Sequence, residues 1–216
     1  MHIPDGFIAP QCYLPAYAVC GGLWMLAARR ARTGLAEEVI PRLAVMTALA
    51  FVLTTVMIPI PGGTSVHASG IALLALLFGV WQAFISMSLV LLLQALLLGA
   101  GGITSLPVNA LAMGLAGPAA AVGTYRMLRS LREELAVGVA GWTGVVASGG
   151  VLAVVLGLQP RLAHTPDGEP LFFPFGLVVT LPAVGFPAAL VGVGEGVLTV
   201  LVWRYARRRG WLELRE

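Results

Sequence analysis

The chain has 216 residues, of which 58% are hydrophobic and 11% charged, with a formal net charge of +3 and a mean hydropathy of +0.91. Soluble domains hold roughly 45–50% apolar and about 25% charged residues, so a water-soluble globule is excluded. Every cation is an arginine, and the arginines cluster at the ends of apolar runs, which orients a chain in a membrane and gives no footing for nucleic acid.

The amino end, MHIPDGFIAP, has no basic n-region and no small-residue cleavage site, so no removable leader is read there and Met1 is expected to stay. Apolar stretches then follow over Cys12–Ala28, Leu43–Pro59, Gly70–Gly99, Ala110–Met127, Ala136–Leu158 and Leu177–Trp203, each bounded by Arg, Pro or Gly. Cys12 and Cys20 lie about 12 Å apart along one helix, too far for a disulfide between them. The third stretch holds 30 residues, about 45 Å of straight helix against a hydrocarbon core of about 30 Å. It is either strongly tilted or two segments turned near Gly79–Gln82, and arginine placement decides. With the amino end outside and two crossings there, Arg29–Arg42, Arg126–Arg132 and Arg204–Arg215 all fall in the cytoplasm and only Arg161 lies outside.

The expected fold is therefore all-α: one polytopic membrane domain over residues 1–216 with seven transmembrane helices, one of them short or incomplete, N-out and C-in. Residues 1–10 form an inserted N-terminal segment and 204–216 a basic cytoplasmic tail. The outer segments are the N-terminus, 59–70, 99–109 and 159–174. Three of these are rich in Gly, Pro and small polar residues, a composition that suits either tight turns or chain folded inward over a site.

His2 is the most informative residue. A free amine on Met1, the His2 amide nitrogen and the His2 imidazole Nδ1 close fused five- and six-membered rings around one metal ion. One in-plane position stays open. Such nitrogen donors, one of them a deprotonated amide, favour square-planar Ni(II) or Cu(II) over Zn(II) or Mg(II). His67 is the natural fourth donor because it shares the outer side and sits in a Gly-flanked loop. His164 is its competitor, in a polar loop with Asp167 and Glu169 where a solvated histidine is expected. The apolar company of His2, from Ile3 and Pro4 to Phe7 and Ile8, argues against a dangling tail.

MHIPDGFI at the start, PGGTSVHASG at 61–70 and GGITSLPVNALAMGLAGP at 101–118 resemble the signature segments of the CbiM/NikM family, the substrate-capture subunits of energy-coupling-factor transporters for nickel and cobalt. The third segment differs from the family pattern at Pro107, Leu111 and Ala112 and keeps Asn109, Met113 and Gly114. The resemblance implies metal ligands Met1, His2 and His67 and no resident cofactor, the Ni(II) or Co(II) being cargo. It implies a multi-pass protein of a prokaryotic cell membrane. It also implies partners: a transmembrane coupling subunit, two cytoplasmic ATPases and a small accessory membrane protein, since the chain has no GxxxxGK[ST] loop and supplies no ATP hydrolysis of its own. Ala44 and Ala48 are similar to the AxxxA docking motif of capture subunits.

Asp5 reads either as an acceptor for a ligand imidazole or as part of a Pro-Asp-Gly turn. Asn109 reads as a helix N-cap or as a polar group near the metal. Ser65 is placed beside His67. Glu195, an acid deep in the last span, reads as structural pairing or coupling and is expected to lie away from the outer site. Gly192, Gly194 and Gly196 suggest close helix contact. Two alternatives remain from other classes: an intramembrane hydrolase or lipid-modifying enzyme using His67 with Ser65 or Ser69, and a capture subunit for an organic vitamin.

Overall fold

A computed structural model describes residues 2–34, 37–60 and 64–211; Met1, the Ser65 side chain and residues 212–216 of the basic tail lie outside the described part. Among the described residues seven helices follow one another: α1 (Pro10–Gly34), α2 (Val39–Thr55), α3 (Ile71–Phe78), α4 (Val80–Leu98), α5 (Leu106–Leu128), α6 (Glu133–Leu162) and α7 (Leu177–Arg208). Between α2 and α3 the short strands β1 (Ile58–Ile60) and β2 (Thr64–Val66) pair antiparallel, with Ile58 opposite Val66. By length and apolarity α4, α5, α6 and α7 each suffice to cross a bilayer, and α2 is a shorter apolar helix. Large apolar side chains such as Val178, Phe186, Val193 and Leu201 stand exposed along α7, as lipid-facing surface requires. This is a multi-pass membrane protein.

The long third stretch is broken at Gly79, whose φ of 96° is a left-handed conformation that residues with a Cβ avoid. Its first piece, α3, has eight residues, IALLALLF. That is about 12 Å of rise, far short of a crossing. A helix apolar on every face must be surrounded, and every residue from Ile71 to Leu77 is buried among α2, α4, α5, α6 and α7.

The position of α3 along the membrane normal follows from its two ends. At Gly79 it meets the arginine-rich end of the bundle, because Arg30 of α1 stacks over the Trp81 ring at 4.6 Å. At Gly70 it reaches the middle of α7, where the Glu195 carboxyl group accepts hydrogen bonds from the Ser69 amide (2.8 Å), the Gly70 amide (2.6 Å) and the Ser69 hydroxyl (3.2 Å). The half-crossing left over is made by non-helical chain, to which the described residues 56–60 and 64–70 belong. Such chain survives at membrane depth only where its backbone groups find partners inside the protein, and Glu195 supplies them at the start of the half-helix. The expectation that Glu195 lies away from the site is thereby corrected: it holds the segment two residues past His67, because that loop descends to meet it.

Helices α6 and α7 form the most extensive pair. Glycines set their spacing, since a Cβ on Gly196 would stand 2.6 Å from the Gly138 carbonyl oxygen and one on Gly192 would stand 2.8 Å from the Trp142 ring. Gly194 faces open space instead. The first part of the expected basic tail is helical, with Arg204 and Arg207 of α7 paired to Glu134 and Glu133 of α6; these pairs are exposed and contribute little to stability. Ala44 and Ala48 lie on an exposed face of α2.

Replacing Glu195 by Ala strands two buried amides, at about 1–3 kcal/mol each. Thermal unfolding in detergent should show Glu195→Ala clearly destabilised and Glu195→Gln between it and wild type, since an amide keeps one acceptor oxygen. Equal midpoints for all three would show that the carboxyl group does not hold this joint.

Candidate metal centre

Residues 2–9 fold back over the bundle as a strap. The Pro-Asp-Gly sequence turns at Gly6, φ 85°, and Ile3 and Ile8 bury in the core. Ile3 is gripped on both sides by Asn109: its amide donates to Asn109 Oδ1 at 2.9 Å, and Asn109 Nδ2 donates to its carbonyl at 2.9 Å. Ser105 Oγ donates to the same carbonyl at 2.5 Å. Asn109 is thus not a helix cap; it lies inside α5, just before residues Ala110–Ala116 widen into a π-helical turn, and it fixes the residue next to His2. Wide turns of this kind often mark functional positions.

Asp5 serves as the turn residue and not as an imidazole acceptor. Its oxygens take hydrogen bonds from the amides of Ile103 (3.0 Å) and Thr104 (2.8 Å) and from the Thr104 hydroxyl. Burial pushes the Asp5 pKa up, but the bonds from Thr104 and Ile103 outweigh it and hold the carboxyl below the ordinary aspartate value. Further on, the Ala9 amide donates to Gln159 Oε1 at 2.9 Å, while Gln159 Nε2 is fixed on the Val155 carbonyl of α6 at 2.9 Å. Two glycines admit the strap. A Cβ on Gly101 would lie 3.3 Å from His2 Nδ1, and one on Gly102 would lie 2.2 Å from Asp5 Oδ1 and 2.4 Å from the Asp5 amide nitrogen.

The strap brings His2 against His67, ring centroids 5.2 Å apart and planes inclined by 38°. Their Nε2 atoms are both buried without a hydrogen-bond partner, as is Oε1 of Gln94. His67 Nδ1 lies 3.0 Å from the Ala68 carbonyl. A carbonyl only accepts, so Nδ1 carries the proton and Nε2 presents a bare lone pair, the arrangement by which backbone carbonyls orient metal-ligating histidines. Burial lowers the pKa of the His2 imidazole, opposed by the Gln94 side chain. Below His67 a cavity of about 20 Å³ is lined by Ser69, Met113 and Ser148 among others.

Of the sequence-derived residues, the structure brings together His2, His67, Asn109 and, through the strap, Asp5. His164 is exposed and bound to the Thr165 carbonyl. No group of three His, Cys, Asp or Glu side chains converges among the described residues, which a set drawn partly from main-chain nitrogens does not require. Ser69 donates its hydroxyl to Glu195, which removes support from a Ser–His hydrolytic pair. The sequence reading missed Gln94, Gln159 and Ser105. Gln94 had a signal, as a lone amide within LVLLLQALLL where a polar group needs a partner.

Over residues 2–211 the chain matches the family described as the cobalt uptake substrate-specific transmembrane region, CbiM. It is 37% identical over 212 residues to the probable fused nickel transport protein LarMN of Lactiplantibacillus plantarum, covering 96% of this chain and 65% of that one. It is 34% identical over 206 residues to the fused nickel transport protein NikMN of Rhodobacter capsulatus, covering 92% of this chain and 59% of that one. The chain thus spans less than two thirds of the length of these fused relatives. The crystal structure of a truncated transition metal transporter superposes with a TM-score of 0.92 at 39% identity, covering 97% of this chain and 99% of that one. The chain therefore belongs to the CbiM family.

Proposed function

We propose that this chain is the substrate-binding membrane component of an ATP-driven uptake system for Ni(II) or Co(II), which takes the ion at the outer face through the Met1 amine, the His2 amide and imidazole, and the His67 imidazole. The observation that carries this reading is the pair of buried rings 5.2 Å apart, delivered by segments far apart in sequence, with a bare Nε2 on His67. An unpartnered buried polar atom is costly, and an ion offsets that cost. Each donor has a different role. The Met1 amine and the His2 nitrogens form the chelate, and His67 closes the plane from its own loop. Asn109, Ser105 and Asp5 hold the strap so that little ordering entropy remains to be lost on binding.

Four nitrogens in a plane suit a d⁸ ion, which favours nickel over cobalt. Binding releases protons, including the one on the His2 amide. Energy comes from other chains, a transmembrane coupling subunit and two ATPases, together with a small accessory membrane protein. Membership of a nickel and cobalt transport family supports this, and so do the fused relatives, which are longer than the part this chain matches. The exposed Ala44 and Ala48 of α2 let a partner helix approach closely.

One residue added before Met1 should abolish high-affinity nickel binding, read as loss of the square-planar absorption band and of metal retained after desalting, whereas a C-terminal tag should not. Nickel bound at full affinity by the extended protein would rule out the amine as a ligand. His67→Ala should weaken binding by more than the roughly 10–100-fold typical of losing an outer partner, measured by nickel titration.

Gly102→Ala places a methyl group in the Asp5 carboxyl and amide and should loosen the strap. Nickel affinity is expected to fall while thermal unfolding, governed by the helical core, changes little. An unaffected affinity would mean that the strap is not what places His2.

A further inference from the structure

On its lipid-facing side the α6–α7 pair carries a trench of about 630 Å³. Its floor holds Gly138 of α6 and Gly196 of α7, where the two backbones come so close that a Cβ on Gly196 would stand 2.6 Å from the Gly138 carbonyl oxygen. Its walls are apolar side chains of both helices, and Leu135, Val197 and Leu201 among them are each more than half exposed. The two ends differ. At one, the Trp142 indole N–H donates to the Ala189 carbonyl at 3.0 Å. That bond lays the ring across onto α7 at Gly192, where a Cβ would meet it at 2.8 Å. At the other end stand Arg204 and Glu134, both exposed and paired with each other. From Gly192 to Arg204 is about 18 Å of helix, close to half of a hydrocarbon core of about 30 Å. The trench therefore runs through one leaflet and stops near the midplane.

We propose that this trench binds an anionic phospholipid of the leaflet at the arginine-rich end of the bundle, one acyl chain lying along the glycine floor and the phosphate resting on Arg204. Length selects the occupant. A partner's transmembrane helix is about 10 Å wide, crosses both leaflets, and would run into the Trp142 ring halfway. An acyl chain is slender, apolar throughout, and ends at that depth. Charge selects the head. Glu134 accepts from Nε and Nη2 of Arg204, which leaves the Nη1 donors for a phosphate oxygen. Glu133 is spent on Arg207, while Arg132, Arg208 and Arg209 are exposed at the same end and keep the mouth positive, as anionic head groups require. Once seated, the lipid covers the apolar walls along the α6–α7 contact and stabilises the folded chain by mass action.

The test uses the full chain with its native amino end, delipidated in detergent, and two probes that share acyl chains and differ in charge, dioleoylphosphatidylglycerol and dioleoylphosphatidylcholine. In native mass spectrometry the wild type should hold one phosphatidylglycerol roughly five- to tenfold more tightly than phosphatidylcholine, and phosphatidylglycerol should raise the thermal unfolding midpoint further. Val197→Trp sets an indole into the trench from an exposed wall and should abolish both effects. Val178→Trp, on the most exposed position of the same helix at its other end, should leave them unchanged. Arg204→Gln should bring the two lipids to equal affinity, which keeps the test decisive if Val197→Trp fails to fold. Three results overturn the proposal: wild type that holds both lipids equally, a folded Val197→Trp protein that holds phosphatidylglycerol as wild type does, or an undiminished preference in Arg204→Gln. A wild-type dimer that Val197→Trp dissociates overturns it too, since the trench is then the seat of a second copy.

Discussion

The structure depends on one requirement: where the chain leaves the helix inside a membrane, its amides must find acceptors within the protein. Residues 56–60 and 64–70 do leave the helix, and the carboxyl group of Glu195 receives the two amides at the head of α3. Much of the rest follows from this joint. The half-helix starts at mid-membrane, its wholly apolar surface is surrounded by five helices, and the loop before it, carrying His67, is held against the strap. An acid in an apolar helix would be expensive alone; here it removes a cost of similar kind from its neighbours. Backbone and side chain are each other's reason for being there.

The frame was legible in the sequence because it is a matter of composition. Apolar runs with arginines at their ends gave seven helices, and an overlong run with an internal glycine gave the break at Gly79. The tension between 30 apolar residues and one bilayer even announced that one piece would be short. Depth was not legible. Nothing in TSVHASG says that its backbone descends to the middle of α7, because the partner that makes this possible is 126 residues away and reads in isolation only as a costly acid.

The site divides along the same line. His2 and His67 stood out because their chemistry is particular and the topology put them on one side. The groups that hold the strap did not: Gln159 and Ser105 are ordinary polar residues whose meaning lies in which atom each one faces. Asn109 was noticed, but neither role considered for it named its partner, a main chain 106 residues away that its amide grips. Asp5 had the right neighbourhood and the wrong partner in one of its two readings. Periodicity and motif report what a residue is; the directions of hydrogen bonds, which set tautomers and anchor the strap, appear only with coordinates.

The strap also fixes an order of events during synthesis. Residues 2–9 are made first, yet their anchors Asn109 and Gln159 lie 106 and 150 residues downstream, and contacts so distant in the chain form late. The leading segment meets its Asn109 anchor only once α5 has begun, and its Gln159 anchor only with α6. A nascent chain arrested before α6 is complete therefore carries both histidines and lacks the Gln159 end of the strap.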